Sequence, residues 1–230
     1  MARPRVPRGT PRVSRRRTPS PVESPGAGGV AARLTPLAAA HGLVLSAEAA
    51  DRLARYVALL LPWNARVNLT AARTPDEVVD DHVADGLALL PLLPPGPHLL
   101  VDVGAGAGFV GIAVAVLRSD AHCVLVEPSA KRHAFLRAAA RELALANVDA
   151  RAERLEDHLA RGGAEAYDVA VSRATWPPLD WLGRALSLLR PGALAVAYEG
   201  RWRLDLPPGV ERIERPSSPR GALLVRRAAR

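Results

Sequence analysis

The stretch VDVGAGAGFVG, Val101 to Gly111, decides how this chain is read. Gly104, Gly106, Gly108 and Gly111 directly follow the apolar run of HLLVDV (98–103) and its aspartate. That run has the length of a buried strand, and GFVGIAVAVLRS (108–119) has the length and apolar face of a helix. Glycines between the two permit positive φ and let the backbone approach a ligand closely. Gly104 and Gly106 suit that task, while Gly108 and Gly111 let the following helix start tightly against the sheet. In open α/β sheets ligands bind outside the carboxyl ends of the strands, where strand order reverses. The loop after Val103 therefore marks a binding site.

The alternation continues outward. AHCVLVE (121–127) is predicted as a strand, SAKRHAFLRAAARELAL (129–145) as a helix and VDARAE (148–153) as a short strand. AYDVAVSRA (166–174) is the next strand, followed by a helix over PLDWLGRALSLLRPG (178–192) and a strand over ALAVAYEG (193–200). Two more strands are expected near GVERIE and ALLVRR. Such alternation predicts an α/β fold, a mostly parallel Rossmann-like sheet with helices on both faces.

Upstream, Leu34 to about Leu93 reads as helical. Ser46 can cap a helix with Leu53, Tyr56, Val57 and Leu60 on one face. Thr74, Pro75 and Glu77 make a helix start with a capping threonine, a first-turn proline and a reciprocal glutamate. That helix carries Val78, Val79, His82, Val83 and Leu87 inward. His82 and Asp85 share its face at i and i+3; they read either as cleft groups or as a core histidine with an acid partner. Trp63 and Asn64 read as packing and helix-end residues. The expected organisation is a disordered basic tail over 1–30, an N-terminal helical region over 31–95 and the sheet domain over 96–230.

Three ligands compete for the glycine loop. A Walker loop needs a lysine and a hydroxyl residue after its last glycine, where this chain has Ile112 and Ala113. The dinucleotide pattern G-x-G-x-x-G is matched by Gly106, Gly108 and Gly111. The third ligand is S-adenosylmethionine (SAM), which has no phosphate but carries an ammonium and a sulfonium. Asp102 favours SAM, because a strand-end carboxylate attracts the cationic methionine part and would repel a pyrophosphate. Glu127, at the end of the second strand, can accept both ribose hydroxyls and fits NAD and SAM alike.

With 230 residues, 49% of them hydrophobic, the chain suits one domain with additions. No apolar run reaches the roughly 18 residues of a membrane span; with no apolar signal region either, a soluble, cytoplasmic protein without a membrane partner is expected. The single cysteine, Cys123, lies in an apolar run and reads as a buried structural thiol. No cysteine–histidine spacing suggests a metal. Charge is concentrated at the ends: residues 1–30 hold seven arginines and one glutamate, and residues 201–230 eight arginines and three acids. A basic rim can meet a polyanion such as RNA, although Lys131 is the only lysine and the arginines also reflect a compositional bias.

The chain resembles the RsmG (glucose-inhibited division protein B) family. The resemblance covers roughly residues 34–200 and rests on WNARVNLTAARTPDEVVDDHVADGLALL, VDVGAGAGFVGIAVAV, LVEPSAKRHAFLRAAARELALANV and YDVAVSRA. It implies a SAM-dependent methyltransferase fold and methylation of guanine N7 in small-subunit (16S) ribosomal RNA, as free RNA or within the ribosomal particle. By motif it implies cofactor contacts at Asp102, Gly104, Gly106 and Phe109, a ribose carboxylate at Glu127, and an adenine site at Leu155 and Glu156. It also implies an arginine beside the cofactor, Arg173, as the catalytic-site residue. Three departures stand out. Phe109-Val110 replaces the family's Leu-Pro, Glu199 replaces a lysine at a candidate RNA surface, and the tail SPRGALLVRR lacks the family's Arg-His pair. They leave a catalytically impaired RNA-binding protein on the same fold as an alternative, and a nucleotide-dependent oxidoreductase as a third reading.

Overall fold

The computed structural model describes residues 27–216 and 221–229. Most of the expected tail over 1–30 lies outside the described residues. Its last four residues depart from the expectation: they begin helix α1 (Ala27–Ala40), which starts ahead of the predicted Leu34. Val30, Leu34 and Ala38 recur every fourth residue and are buried, which places one turn-aligned stripe against the core. Gly28 and Gly29 in its first turn are poor helix formers, so burial of Val30 against the core rather than local propensity carries the helix this far back.

Helix α2 (Ala47–Val67) starts where Ser46 accepts from the Ala49 amide at 3.1 Å and ends at Asn68, in the left-handed region with φ 54°. Its predicted face, Leu53, Tyr56, Val57 and Leu60, is buried. Helix α3 (Pro75–Val78) opens on the expected capping box between Thr74 and Glu77. The helix then runs through a π-helical turn, Val79–Val83, before α4 (Ala84–Leu89). Such single-turn π segments re-aim the side chains they carry, and this one carries His82.

The sheet has seven strands in the order β3-β2-β1-β4-β5-β7-β6: β1 (His98–Val103), β2 (Ala121–Val126), β3 (Val148–Arg151), β4 (Tyr167–Ser172), β5 (Leu189–Tyr198), β6 (Val210–Glu214) and β7 (Ala222–Arg227). Strands β1 to β5 are parallel and β7 pairs antiparallel with both β5 and β6. Strand order reverses between β1 and β4, so their carboxyl ends open the crevice. The crossover helices are α5 (Gly111–Leu117), α6 (Ala130–Glu142), α7 (Leu155–His158) and α8 (Pro178–Ala185). Residues 189–192, expected in the helix before β5, belong instead to the strand. Leu189 already pairs with Tyr167, and Pro191 in the same stretch is unsuited to a helix interior.

Period-two alternation divides the core between the two faces. Leu100, Cys123, Val169, Val196 and Val225 face α1, α2, α4, α5 and α6. Val101, Val124, Ala170, Ala195 and Leu224 face α8, whose Trp181 is 1% exposed and donates to the Val196 carbonyl at 2.8 Å. The N-terminal helices share the first of these cores, and α4 touches α5 so closely that a side chain at Gly86 would overlap Ala113. Cys123 is fully buried there, and burial pushes its thiol up to about 12. Among the described residues no helix is long and apolar enough to cross a membrane.

Candidate active site

Asp102 lies on the same face of β1 as Leu100, beneath the start of α5, and is 2% exposed. It accepts from the Gly111 amide at 3.1 Å. That close approach needs Gly111, where a Cβ would overlap Leu125. Burial raises the Asp102 pKa to about 7, with the Gly111 amide and the Arg173 cation opposing. Gly104 and Gly106 both have positive φ, 72° and 59°. A side chain at Gly104 would collide with Thr175, which crosses over from the loop after β4.

Glu127 sits just past β2 and is 3% exposed. Its two oxygens accept from Gly106 at 2.9 Å and Ser129 at 2.8 Å. One backbone donor on each oxygen fixes the carboxylate plane and leaves a lone pair on each for a ligand. The glycine loop is pinned from α2 as well: Tyr56 donates to the Ala107 carbonyl at 2.7 Å.

The N-terminal helices supply the opposite wall. His82, on the π-helical turn, stacks on Phe109 with centroids 4.0 Å apart and planes at 22°. Arg173, just past β4, donates from Nη2 to His82 Nδ1 at 2.7 Å. Its guanidinium also lies 5.2 Å from the Phe109 ring centre and pairs through Nε with Asp85 at 3.0 Å. Arginine has no acceptor, so His82 Nδ1 holds a lone pair and Nε2 carries the proton toward Thr70 Oγ1. Burial, with the Arg173 cation, lowers the His82 pKa to about 4. Asp85 is held from its other side by Arg215, and Tyr198 donates to its backbone carbonyl at 2.7 Å. Arg173 Nη1 is buried and has no hydrogen-bond partner among the described residues.

A cavity of about 350 Å³ opens between these walls, lined by Asp102, Gly104, Gly106, Phe109, His82 and Arg173 among others. Five of the residues expected from sequence thus meet in one cavity. Glu127 stands behind Gly106. Leu155 does not line the cavity; it is buried among Val101, Val124 and Val126 at the start of α7, and Glu156 beside it is exposed. Sequence reasoning left His82 and Asp85 undecided and missed Thr70, Tyr56, Thr175, Tyr198 and Arg215. The i,i+3 spacing of His82 and Asp85 was the available signal, but their shared partner lies 91 residues away from His82.

Glu199 corrects one expectation. It is not an exposed acid set against RNA phosphates: it is 2% exposed, and its charge is taken up by Arg212 Nε and Nη2, both donating at 2.8 Å, and by the Leu204 amide at 2.8 Å. Phe109 is accounted for by the same geometry, because its ring receives His82 on one contact and Arg173 on another.

The family model described as rRNA small subunit methyltransferase G matches residues 49–206. The chain belongs to that family. Ribosomal RNA small subunit methyltransferase G of Myxococcus xanthus is 37% identical over 166 residues, 72% of this chain and 76% of that protein. The protein of the same name from Neisseria gonorrhoeae is 38% identical over 187 residues, covering 79% and 88%. Among solved structures, a structural-genomics protein from Corynebacterium glutamicum superposes with a TM-score of 0.52 at 18% identity, covering 76% of this chain and 91% of that one; this similarity concerns the fold alone. The chain is a SAM-dependent methyltransferase of small-subunit ribosomal RNA on a Rossmann-like fold, and the base its family modifies is guanine. The oxidoreductase reading is set aside.

Proposed function

We propose that the enzyme methylates N7 of one guanine in small-subunit ribosomal RNA, in the cytoplasm, with Arg173 at the junction of donor and acceptor. The observation that carries this reading is the position of Arg173. It borders the glycine-loop cavity on one side and, on the other, a second hollow of about 390 Å³ lined by Asp85, Trp176, Tyr198 and Arg215. In-line transfer brings N7 directly against the sulfonium methyl as the C–S bond breaks, so donor and acceptor sites must adjoin, and these two hollows adjoin at Arg173 and Ala174, which line both.

The residues present fit SAM. The buried Asp102 carboxylate faces the cavity and makes no ion pair among the described residues, which suits the methionine ammonium. Gly104, at φ 72° and packed against Thr175, lets the bare loop backbone line the cavity. The free lone pairs of Glu127 suit the ribose hydroxyls; beyond them the exposed Glu156 and the backbone of Leu155, not its buried side chain, would meet the adenine. Bound SAM supplies an electrophilic methyl on a sulfonium.

Guanine N7 attacks with its own lone pair and loses no proton, so no general base is required. The site agrees with that demand: His82 is neutral, but both of its nitrogens are engaged. Its work is positional, steadying the Arg173 fork and the Phe109 ring. The Arg173 group left to act is Nη1, a buried donor with no partner among the described residues, which can take guanine O6 or an adjacent phosphate. Rate enhancement then comes from alignment and electrostatic preorganisation.

The test is to map N7-methylguanine in ribosomal RNA from cells with and without the gene. One guanine position should lose its methyl group, regain it with the wild-type gene and not with Arg173→Ala. An unchanged methylation map would sink the proposal. Purified small subunits and naked RNA, supplied separately, identify the substrate form.

A further inference from the structure

Leading away from the acceptor hollow is a six-residue loop, Glu199 to Leu204, with the sequence EGRWRL. Trp202 at its tip is 78% exposed, while Trp181 on the neighbouring helix is 1% exposed. Single exposed apolar residues are ordinary on protein surfaces. Trp202 differs in its neighbours and in the way the loop is held.

The loop is closed at its base. Buried Glu199 accepts from the Leu204 amide at 2.8 Å, and Arg212 joins the two ends by donating to Glu199 at 2.8 Å and to the Leu204 carbonyl at 2.7 Å. On the far side Gly221, at φ 101°, lies so close that a Cβ there would overlap the carbonyls of Glu199 and Gly200. Leu204 and Leu206 pack onto the core. The base is therefore fixed, and the indole is held out from the body rather than folded under it.

Arg201 and Arg203 flank the indole. Arg201 makes no ion pair among the described residues; Arg203 meets Glu214 in an exposed pair that water screens. A hollow of about 280 Å³ beside the loop is lined by Arg201, Arg203 and Arg215 with one exposed acid, Glu214, and it shares Glu199, Gly200 and Arg215 with the acceptor hollow. A continuous path thus runs from Arg173, past Arg215, to the RWR tip.

We propose that this loop is an RNA clamp: Trp202 stacks on an unpaired base neighbouring the acceptor guanine while Arg201 and Arg203 take the phosphates on either side. An aromatic face between cations is the pairing that single-stranded nucleic acid selects, because every base has a π-face and every linkage a charge. The inference rests on the acceptor reading above and adds a contact outside the two hollows.

The test compares Trp202→Ala, Trp202→Phe and Arg201→Gln in the full-length protein. Titration with a fluorescein-labelled single-stranded oligoribonucleotide should show about tenfold weaker binding for Trp202→Ala, within the range expected for one stacked base. Trp202→Phe should recover most of it, and Arg201→Gln should lower the salt slope by about one. With small subunits as substrate, Trp202→Ala should raise KM about tenfold and leave kcat and SAM affinity within about twofold. Equal oligonucleotide binding by wild type and Trp202→Ala overturns the clamp. So does a defect seen only with assembled subunits, which would assign the loop to a ribosomal protein. The oligonucleotide measurement reads the clamp even if N7 methylation itself is refuted.

Discussion

Arg173 donates to Nδ1 of His82 at 2.7 Å, joining the end of β4 to a π-helical turn 91 residues earlier. The contact ties Arg173 to the N-terminal helices, which also meet the sheet domain through Asp85, held by Arg173 and Arg215, and through Tyr56 on the Ala107 carbonyl. It also assigns His82 a role: acceptor at Nδ1, donor at Nε2, neutral throughout the physiological range.

The first prediction concerns that imidazole. His82→Ala should lower kcat by roughly tenfold to a hundredfold, because a misaimed guanidinium costs alignment, and His82→Gln should recover part through its amide oxygen. The pH–rate profile between pH 6 and pH 9 should not change shape. Stability follows from the depressed pKa: the folded value is about 4 against an ordinary 6.5. The neutral form favours the fold, so its contribution is present above pH 6.5 and is lost as pH falls toward 4. Urea titrations over that window should show a loss of the order of 3 kcal/mol that His82→Gln lacks. A parallel loss in the variant would count against this assignment.

Asp102 behaves in the opposite sense. Its folded pKa, about 7, lies above the ordinary 3.8, so the cofactor-free fold favours the protonated acid. That stabilisation is complete below 3.8 and is lost as pH rises through 7, reaching up to about 4 kcal/mol of cost at higher pH. A cationic ligand reverses the preference. SAM affinity should therefore rise from pH 6 to pH 8 with proton release, measured by calorimetry in buffers of different ionisation enthalpy. Asp102→Asn should weaken SAM by about tenfold or more at pH 8, flatten the pH dependence and stabilise the cofactor-free protein by about 1–2 kcal/mol. Retention of tight, pH-dependent SAM binding in Asp102→Asn would refute the assignment.

Gly104→Ala should abolish measurable SAM binding. The new methyl group meets Thr175 and also requires an L-residue at φ 72°. These two causes separate in a double-mutant cycle. Thr175→Ala removes Oγ1 and Cγ2, relieving the worst of the collision but leaving the Cβ at 3.0 Å and the backbone strain of about 1 kcal/mol. The double variant should regain part of the stability lost by Gly104→Ala, as read by thermal melting. Full additivity of the two changes would show that Thr175 is not the obstacle.

Much of the sheet was legible in the sequence because each strand announces itself locally. HLLVDV forms β1 with the predicted limits, and Asp102, Gly104 and Gly106 could be placed by their distance from its end, whereas Phe109 and Arg173 were placed only by the resemblance to the family. What could not be read depends on contacts between distant segments. The alternation of burial cannot show that the face of β1 bearing Asp102 is covered by α5 and the N-terminal helices. Nor does local spacing reveal that Asp85 is gripped by Arg173 and Arg215, 130 residues beyond it in the second case. The limits of α1 and β5 went astray because alanine-rich segments and the run Leu189 to Gly192 carry weak periodicity, which tertiary pairing overrides. Glu199 was misread for the same reason: an acid replacing a base suggests an altered surface until its partner, Arg212, is seen.

That pair yields the last prediction. Restoring the family's cation through Glu199→Lys should not improve this enzyme. It would bury a second positive charge against Arg212, in a place where Glu199 is 2% exposed and holds the Leu204 amide. Breaking a buried ion pair in this manner costs roughly 3–5 kcal/mol, so the variant should melt far below wild type and lose RNA binding as the loop at Trp202 comes free. Exchanging the charges, Glu199→Lys with Arg212→Glu, should recover about half the stability, since attraction returns but the two-pronged guanidinium geometry does not. Denaturant titration of the two single variants and the double variant decides the matter. If Glu199→Lys alone is as stable as wild type, the lysine finds a partner other than the one this structure offers, and Arg212 is not what sets the residue at position 199.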